Sequence, residues 1–367
     1  MEQQHVLAEY RPEFRVCAEG KDITEALQQN LVELILTDHG GETAKADELQ
    51  ITLLSETLKL PSKGARLNIG LGFNGNILDK GVFVVNKVSS NGPPRKIVIN
   101  ATAAPMNAQK QKGNVQSQKT RSWDNIKLGD LVKTVAEDNG LKPKVAPQFA
   151  DIMITHLDQV AESDGNLMSR LARAYNAVSK PCGGYWLFLE KGASMTASGK
   201  ALPNVQVALS EVSTWTYNEG QRGASVGKPA TGGQKAKGKI KVNYFNGFDG
   251  RIKTCEIDHD GPNVTSPYIL PTKSQAEHQV KSKSTTAARI ERDMNLTMPC
   301  RPKHIPLTAE SRVNTVGFGE REDRAWQIES LAYTLNKSGL SVALKLVVDI
   351  THKPKTDKKS SAKPTNP

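Results

Sequence analysis

The chain has 367 residues and a formal net charge of +11; 37% of the residues are hydrophobic and 5% aromatic. At about 100–200 residues per domain this length allows two or three domains, and the low aromatic content suits small β-rich domains better than one large enzyme core. No stretch approaches the roughly 18 consecutive apolar residues of a membrane span, and the N-terminal MEQQHVLAEYRPEF lacks the apolar run of a secretory signal, so a cytoplasmic start is expected.

Residues 1–105 read as mostly strands. Lys21-Asp22-Ile23-Thr24 opens one or two helical turns, with Asp22 as the expected N-cap. Period-two or β-branched runs follow at Leu31–Leu36, Leu49–Leu53, Arg66–Ile69, Val82–Val85 and Lys96–Ile99. Turns bearing Gly or Pro separate them, which predicts a small barrel or sandwich. Residues 106–122 are polar and basic without periodicity, and read as a linker.

Residues 123–191 change character. Ile126, Leu128, Leu131, Val132, Val135 and Ala136 recur near helical spacing, and Asn139-Gly140 ends that helix. A second helix follows Glu162-Ser163-Asp164, capped by Ser163 or Asp164, with Leu167, Leu171 and Tyr175 as its stripe. Gly183-Gly184 then lead into the strand Tyr185–Leu189. This block reads as a small α+β module.

Residues 192–350 return to strands, at Val205–Leu209, Ser213–Tyr217, 240–246, 251–258, 312–318, 324–335 and 340–350. A Gly/Lys loop over 219–239 and a polar helix over 273–295 interrupt them, and residues 351–367 read as a disordered basic tail. The fold class is therefore a β-rich α+β chain, with two small barrel-like units around the α+β module. The basic excess is localised: Arg222–Lys241 holds six basic and no acidic residues, and Thr351–Pro367 holds five lysines against one aspartate. Charge sitting on a loop and a tail does not describe a folded nucleic-acid groove, so no stable nucleic-acid binding is expected.

Several patterns imitate active sites. Gly70-Leu71-Gly72-Phe73-Asn74-Gly75 matches G-x-G-x-x-G, but no helix follows to hold a pyrophosphate, so a β-turn is expected. Gly223-Ala224-Ser225-Val226-Gly227 matches a nucleophile elbow yet lies in the basic loop, with no strand before it and no helix after it. Asp258-His259-Asp260-Gly261 begins like a calcium loop, but Ile269 stands where the closing glutamate belongs. The seven histidines form no zinc-ligand spacing. Cys17, Cys182, Cys255 and Cys300 form no CxxC pair, so free thiols are expected. Trp186, Trp215 and Trp326 alternate with apolar neighbours and are expected in the core. No catalytic, cofactor-binding or metal-binding residue is assigned, no cofactor is expected, and interface residues are unknown at this level.

Three stretches carry a family pattern: Leu128-Gly129-Asp130-Leu131-Val132-Lys133-Thr134-Val135-Ala136-Glu137-Asp138-Asn139-Gly140-Leu141, Glu162-Ser163-Asp164-Gly165-Asn166-Leu167-Met168-Ser169-Arg170-Leu171-Ala172, and Gly184-Tyr185-Trp186-Leu187-Phe188-Leu189. With Leu60-Pro61, Gly81-Val82-Phe83 and Val316-Gly317-Phe318-Gly319 in order around them, the chain resembles the late control gene D proteins of contractile-tailed phages over about residues 1–350. The resemblance implies a structural baseplate hub, similar to the hub portion of type VI secretion spike proteins. It implies a homotrimeric ring joining a six-fold tail tube to a trimeric central spike. The implied partners are the tube protein, the spike protein, other baseplate proteins and, as a further candidate, the tape-measure protein. The implied location is the tail baseplate of a virion or tail-like particle, assembled in the bacterial cytoplasm. Two other readings stay open here: a tail-associated cell-wall hydrolase and a nucleic-acid-binding late-gene regulator.

Overall fold

The computed structural model describes residues 10–40, 46–104, 115–196, 198–220, 238–259 and 262–349. The first β unit holds β1 (Pro12–Ala18), β2 (Lys21–Asp22), the single-turn α1 (Thr24–Gln28), β3 (Leu31–His39), β4 (Glu48–Leu54), β5 (Arg66–Phe73), β6 (Asn76–Asn91) and β7 (Lys96–Thr102). Alternation drives these strands: Leu49, Ile51 and Leu53 on β4, and Leu67, Ile69, Leu71 and Phe73 on β5, are buried on one face. β6 is far longer than the Val82–Val85 run suggests. Its first half pairs with β5 and its second with β7, with a bulge between Val85 and Lys87 where it changes partners. The expected β-turn at the glycine pattern is present: Asn74 and Gly75 carry φ of 50° and 81°, the left-handed pair of a tight hairpin. Asp22 does not cap α1. Ile23 is the N-cap, and Asp22 instead accepts from Thr24 N at 2.8 Å.

The α+β module holds β8 (Gln118–Lys127), α2 (Leu128–Asp138), β9 (Lys142–Val145), α3 (Pro147–Ala150), β10 (Met153–Ser163), α4 (Asp164–Tyr175), β11 (Ala177–Cys182) and β12 (Tyr185–Glu190). β8 begins inside the stretch read as a linker, because Gln118–Lys127 pairs with β10 as an antiparallel ribbon. The predicted stripes of α2 and α4 meet in a separate core that includes Leu131, Val135, Leu167, Leu171, Trp186 and Phe188.

The remaining elements are β13 (Asn204–Ala208), β14 (Thr214–Glu219), β15 (Gly238–Asn246), β16 (Arg251–His259), β17 (Val264–Leu270), α5 (Lys273–Ile290), β18 (Arg292–Pro299), β19 (Arg312–Val316), β20 (Ala325–Asn336) and β21 (Gly339–Val348). The polar helix stops at Ile290. Strand β18 comes directly after it, with Met294, Leu296 and Met298 buried at period two against β21. β15, β16 and β17 form a three-stranded sheet ordered β16-β15-β17, with α5 laid on one face over Val242 and Tyr244.

The two β regions are not separate bodies. β3 pairs with β4 on one side and with β20 on the other, in register from Glu33↔Asn336 to His39↔Ser330. One path of strands therefore runs β14-β18-β21-β20-β3-β4-β7-β6-β5-β1-β2, and β19 and β13 attach through β20. Residues of both regions, from Val16 and Ile69 to Trp326 and Leu344, share one core. At the crossing Gly40 N donates to Glu329 O at 2.7 Å, and a Cβ on Gly40 would stand 2.3 Å from that oxygen. The four cysteines are free thiols. Residues 221–237 of the expected basic loop (219–239), the expected tail over 351–367 and residues 106–114 of the expected linker (106–122) lie outside the described residues.

Candidate functional site

The two helical motifs interlock. Ser163 is the N-cap of α4, its Oγ accepting from Asn166 N at 3.2 Å, which frees Asp164 for another role. Asp164 is fully buried. Its carboxylate accepts from Lys119 Nζ at 2.6 Å, Arg121 Nη2 at 2.7 Å, Asn139 Nδ2 at 2.7 Å and Gln159 Nε2 at 3.0 Å. Burial pushes its carboxyl up, but the hydrogen bonds from Lys119, Gln159 and Asn139 outweigh this and hold it below the usual carboxylate range. Asn139, read as a helix stop, is the C-cap of α2 and also the tie to α4. Every lone pair of Asp164 is engaged by the module itself, so it fixes geometry and offers nothing to a substrate.

A second polar cluster joins the module to both β regions. Lys180 on β11 donates to Asp38 Oδ1 at 2.6 Å, Asp47 Oδ1 at 2.9 Å and His39 O at 2.8 Å. Asp38 also accepts from Ala309 N at 2.9 Å, which carries the cluster into the C-terminal β region. Two carboxylates share one lysine here. Burial and the neighbouring Asp38 push Asp47 up to about 7. Asp38 is also pushed up by burial, but Lys180 outweighs this and holds it below its ordinary value. Beside it, Lys80 of β6 reaches across to Ile305 O, to Leu307 O at 3.5 Å and to Tyr333 Oη at 3.4 Å. Burial pushes Lys80 down to about 8. A lysine of that kind can be a nucleophile. Here it is partly buried and directed at backbone carbonyls.

The remaining titratable groups form no reactive set among the described residues. His156 faces Asp124 through Nδ1 at 2.5 Å and Asp158 through Nε2 at 3.1 Å, while Ser122 donates to Asp158 at 2.6 Å. Its hydrogen bonds to the two carboxylates raise its pKa. Both ring nitrogens are occupied, so the histidine cannot serve Ser122 as a base. The carboxylates lie on opposite sides of the ring and cannot converge on one ion. No group of three His, Cys, Asp or Glu side chains is placed to hold a metal among the described residues. Asp258 and His259 end β16 as ordinary strand residues, and the Ser225 motif lies outside the described residues.

Two exposed apolar surfaces stand out. At the β15–β16 end of the three-stranded sheet, Phe248 is fully exposed at the turn, and Phe245 faces Ile252 in register, with Ile269 on the adjacent strand. The other surface borders β14, the terminal strand of the long sheet. Trp215 is 38% exposed and packs edge-on against Phe318 at a 5.6 Å centroid separation, with Leu209 and Val316 exposed nearby. Trp186 and Trp326 are buried as expected, but Trp215 is not a core residue, because its strand lies at a sheet edge. Open edges with apolar neighbours are places where a soluble chain meets a partner. No sequence pattern marks either surface, since alternation looks the same whether the second layer is intramolecular or not.

No family model matches the chain. It is 26% identical over 93% of its length to 94% of the probable baseplate hub protein of Escherichia phage 186, and 27% identical over the same shares to that of Escherichia phage P2. Among solved structures it is similar to a 43 kDa tail protein of a prophage of Shewanella oneidensis. The TM-score is 0.64 at 12% identity, covering 93% of this chain and 99% of that one. It is also similar to an E. coli component of the type VI secretion system, with a TM-score of 0.52 at 8% identity over 87% of this chain and 73% of that one. The resemblance read from the three motif stretches is borne out, and the fold is that of tail proteins.

Proposed function

We propose that this chain is the structural, non-catalytic baseplate hub of a phage-type contractile tail, joining the tail tube to the central spike. The observation that carries the reading is the end-to-end similarity to phage baseplate hub proteins together with the tail-protein fold. The finer reading is a trimer in which each chain contributes two barrel-like units, so that three chains meet a six-fold tube on one side and a three-fold spike on the other. Two β regions zipped through β3 and β20 suit that task, because a subunit that transmits load between tube and spike must not flex between its own halves. The module between them spans 118–191 in this reading, bound to the first by Lys180 and, through Asp38, to the second. The tube, the spike, neighbouring baseplate proteins and the tape-measure protein are its partners, and the virion tail, assembled in the host cytoplasm, is its place.

Negative-stain or cryo-electron microscopy of the purified chain is the decisive experiment. A three-fold ring with a central channel is expected, and a compact monomer in both free and partner-bound samples would overturn the reading. A peptidoglycan gel should show no clearing. Duplex binding, if present, should disappear on deletion of 221–237 and 351–367, since the basic excess lies there.

A further inference from the structure

A groove of 730 Å³ runs between the C-terminal half of α4 and the sheet and helix formed by β15, β17 and α5. We propose that it is a docking site for an extended, acidic peptide segment. The site has a basic rim. Arg170, Arg173, Lys191 and Lys283 line it, and no acidic side chain does among the described residues. Arg170 is paired with Glu162 at 2.7 Å, whereas Arg173 and Lys283 enter no ion pair among the described residues. Surface cations of this kind are usually a solvated face, and Arg173 also suits the last turn of α4.

The groove contains more than cations. Asn176 Oδ1 and Gln279 Oε1 both belong to lining residues, are buried and accept no hydrogen bond. Asn176 itself is 8% exposed and is held in the left-handed region as the C-cap of α4. Buried amide oxygens without donors are uncommon, and two in one groove call for a ligand that brings N–H groups. The lining also includes apolar ground, with Ile240 buried and Tyr268 72% exposed. β17 is the terminal strand of its sheet among the described residues, but Pro267 at its centre has no N–H, so an occupant is held by the groove's side chains and not by a continuous backbone ladder.

A peptide backbone supplies N–H donors at strand spacing, and its alternate carboxylates meet Arg173 and Lys283. The chain's own loop ahead of β15 is a poor occupant, because residues 221–237 carry four basic and no acidic side chains. Single-stranded nucleic acid would satisfy the cations but has no repeating donor for the two amide oxygens.

The test uses the full chain and three fluorescein-labelled probes followed by anisotropy: an eight-residue alternating Glu/Val peptide, its Lys/Val counterpart and a twelve-nucleotide oligo-dT. The Glu/Val peptide should bind saturably, and R173E with K283E should weaken it at least about tenfold. R173K should leave it within about threefold, and Gln279→Leu should weaken it without loss of the folded circular-dichroism spectrum. Failure of the Glu/Val peptide to bind, equal binding of the Lys/Val peptide, or tighter binding of oligo-dT that R173E with K283E abolishes would each overturn the proposal. None of these outcomes depends on whether the chain forms a ring, so the docking site and the hub reading stand or fall separately.

Discussion

The module and the joint each hold a carboxylate cluster, and the two differ in charge balance: two cations serve two carboxylates in the module, and one serves two at the joint. Asp164 receives two cations and two amides, and its carboxylate stays ionised below the usual range. Asp38 and Asp47 divide one lysine, and Asp47 is pushed up to about 7 by burial and by Asp38. The first cluster is satisfied within one module whose helices are adjacent in sequence. The second is assembled from residues 38, 47, 180 and 309, which meet only in the finished fold. In the module Lys119 and Arg121 also pair with Asp138, so two cations face two carboxylates, while the long-range cluster balances its single lysine only when one carboxylate keeps a proton.

Removing the shared cation breaks the contrast most severely. Lys180→Met strands two buried carboxylates and should cost about 3–5 kcal/mol in urea unfolding. Its loss should also separate the module from the β regions, seen as earlier proteolysis between them. Asp164→Ala should cost less, about 2–3 kcal/mol, because Lys119 and Arg121 are partly exposed and can turn to water.

The pH dependence should carry opposite signs at the two sites. Asp47 is raised, so its contribution is full below the unfolded value of about 4 and is lost as pH rises to about 7. Asp164 and Asp38 are lowered, so theirs is present above about 4 and lost as pH falls through their folded values. Unfolding free energy measured from pH 3 to 8 should rise and then decline, and Asp47→Asn should remove the decline while leaving the acid limb. A monotonic rise through pH 7 in the unsubstituted protein would sink the account of Asp47. The smallest effect belongs to the cap: Ser163→Ala should cost about 1 kcal/mol, with no change in the pH profile.

Legibility in the sequence divides along the same line. The stripes and ends of α2 and α4 are local, and Ser163, Asn139 and Leu131 can be placed from spacing alone. Periodicity merges the start of β18 into the preceding polar helix, because Ile290 continues the helical stripe just before Met294-Asn295-Leu296-Thr297-Met298 begins to alternate. β10 escapes for a different reason. It is a ribbon strand in which Ile154, Gln159 and Ser163 are buried and Val160 is exposed, so no alternation is written. Lys80, Lys180, Asp38 and Asp47 bear no local mark of burial, and only the three-dimensional crossing reveals their role. The strands of both β regions are readable, but not their zipping, since nothing in β3 or β20 names its partner.

That zipping sets a schedule for biosynthesis. β3 is complete by residue 39, while β20 ends at residue 336. At a translation rate of about 5–20 residues per second, some 300 residues take roughly 15–60 s. Throughout that interval one edge of β3, carrying Leu34 and Leu36, waits on the ribosome without its neighbour. The nascent N-terminal half is then exposed to strand exchange with other nascent chains. Assembly of this protein is thereby tied to completing each polypeptide, and truncated products should precipitate instead of entering particles.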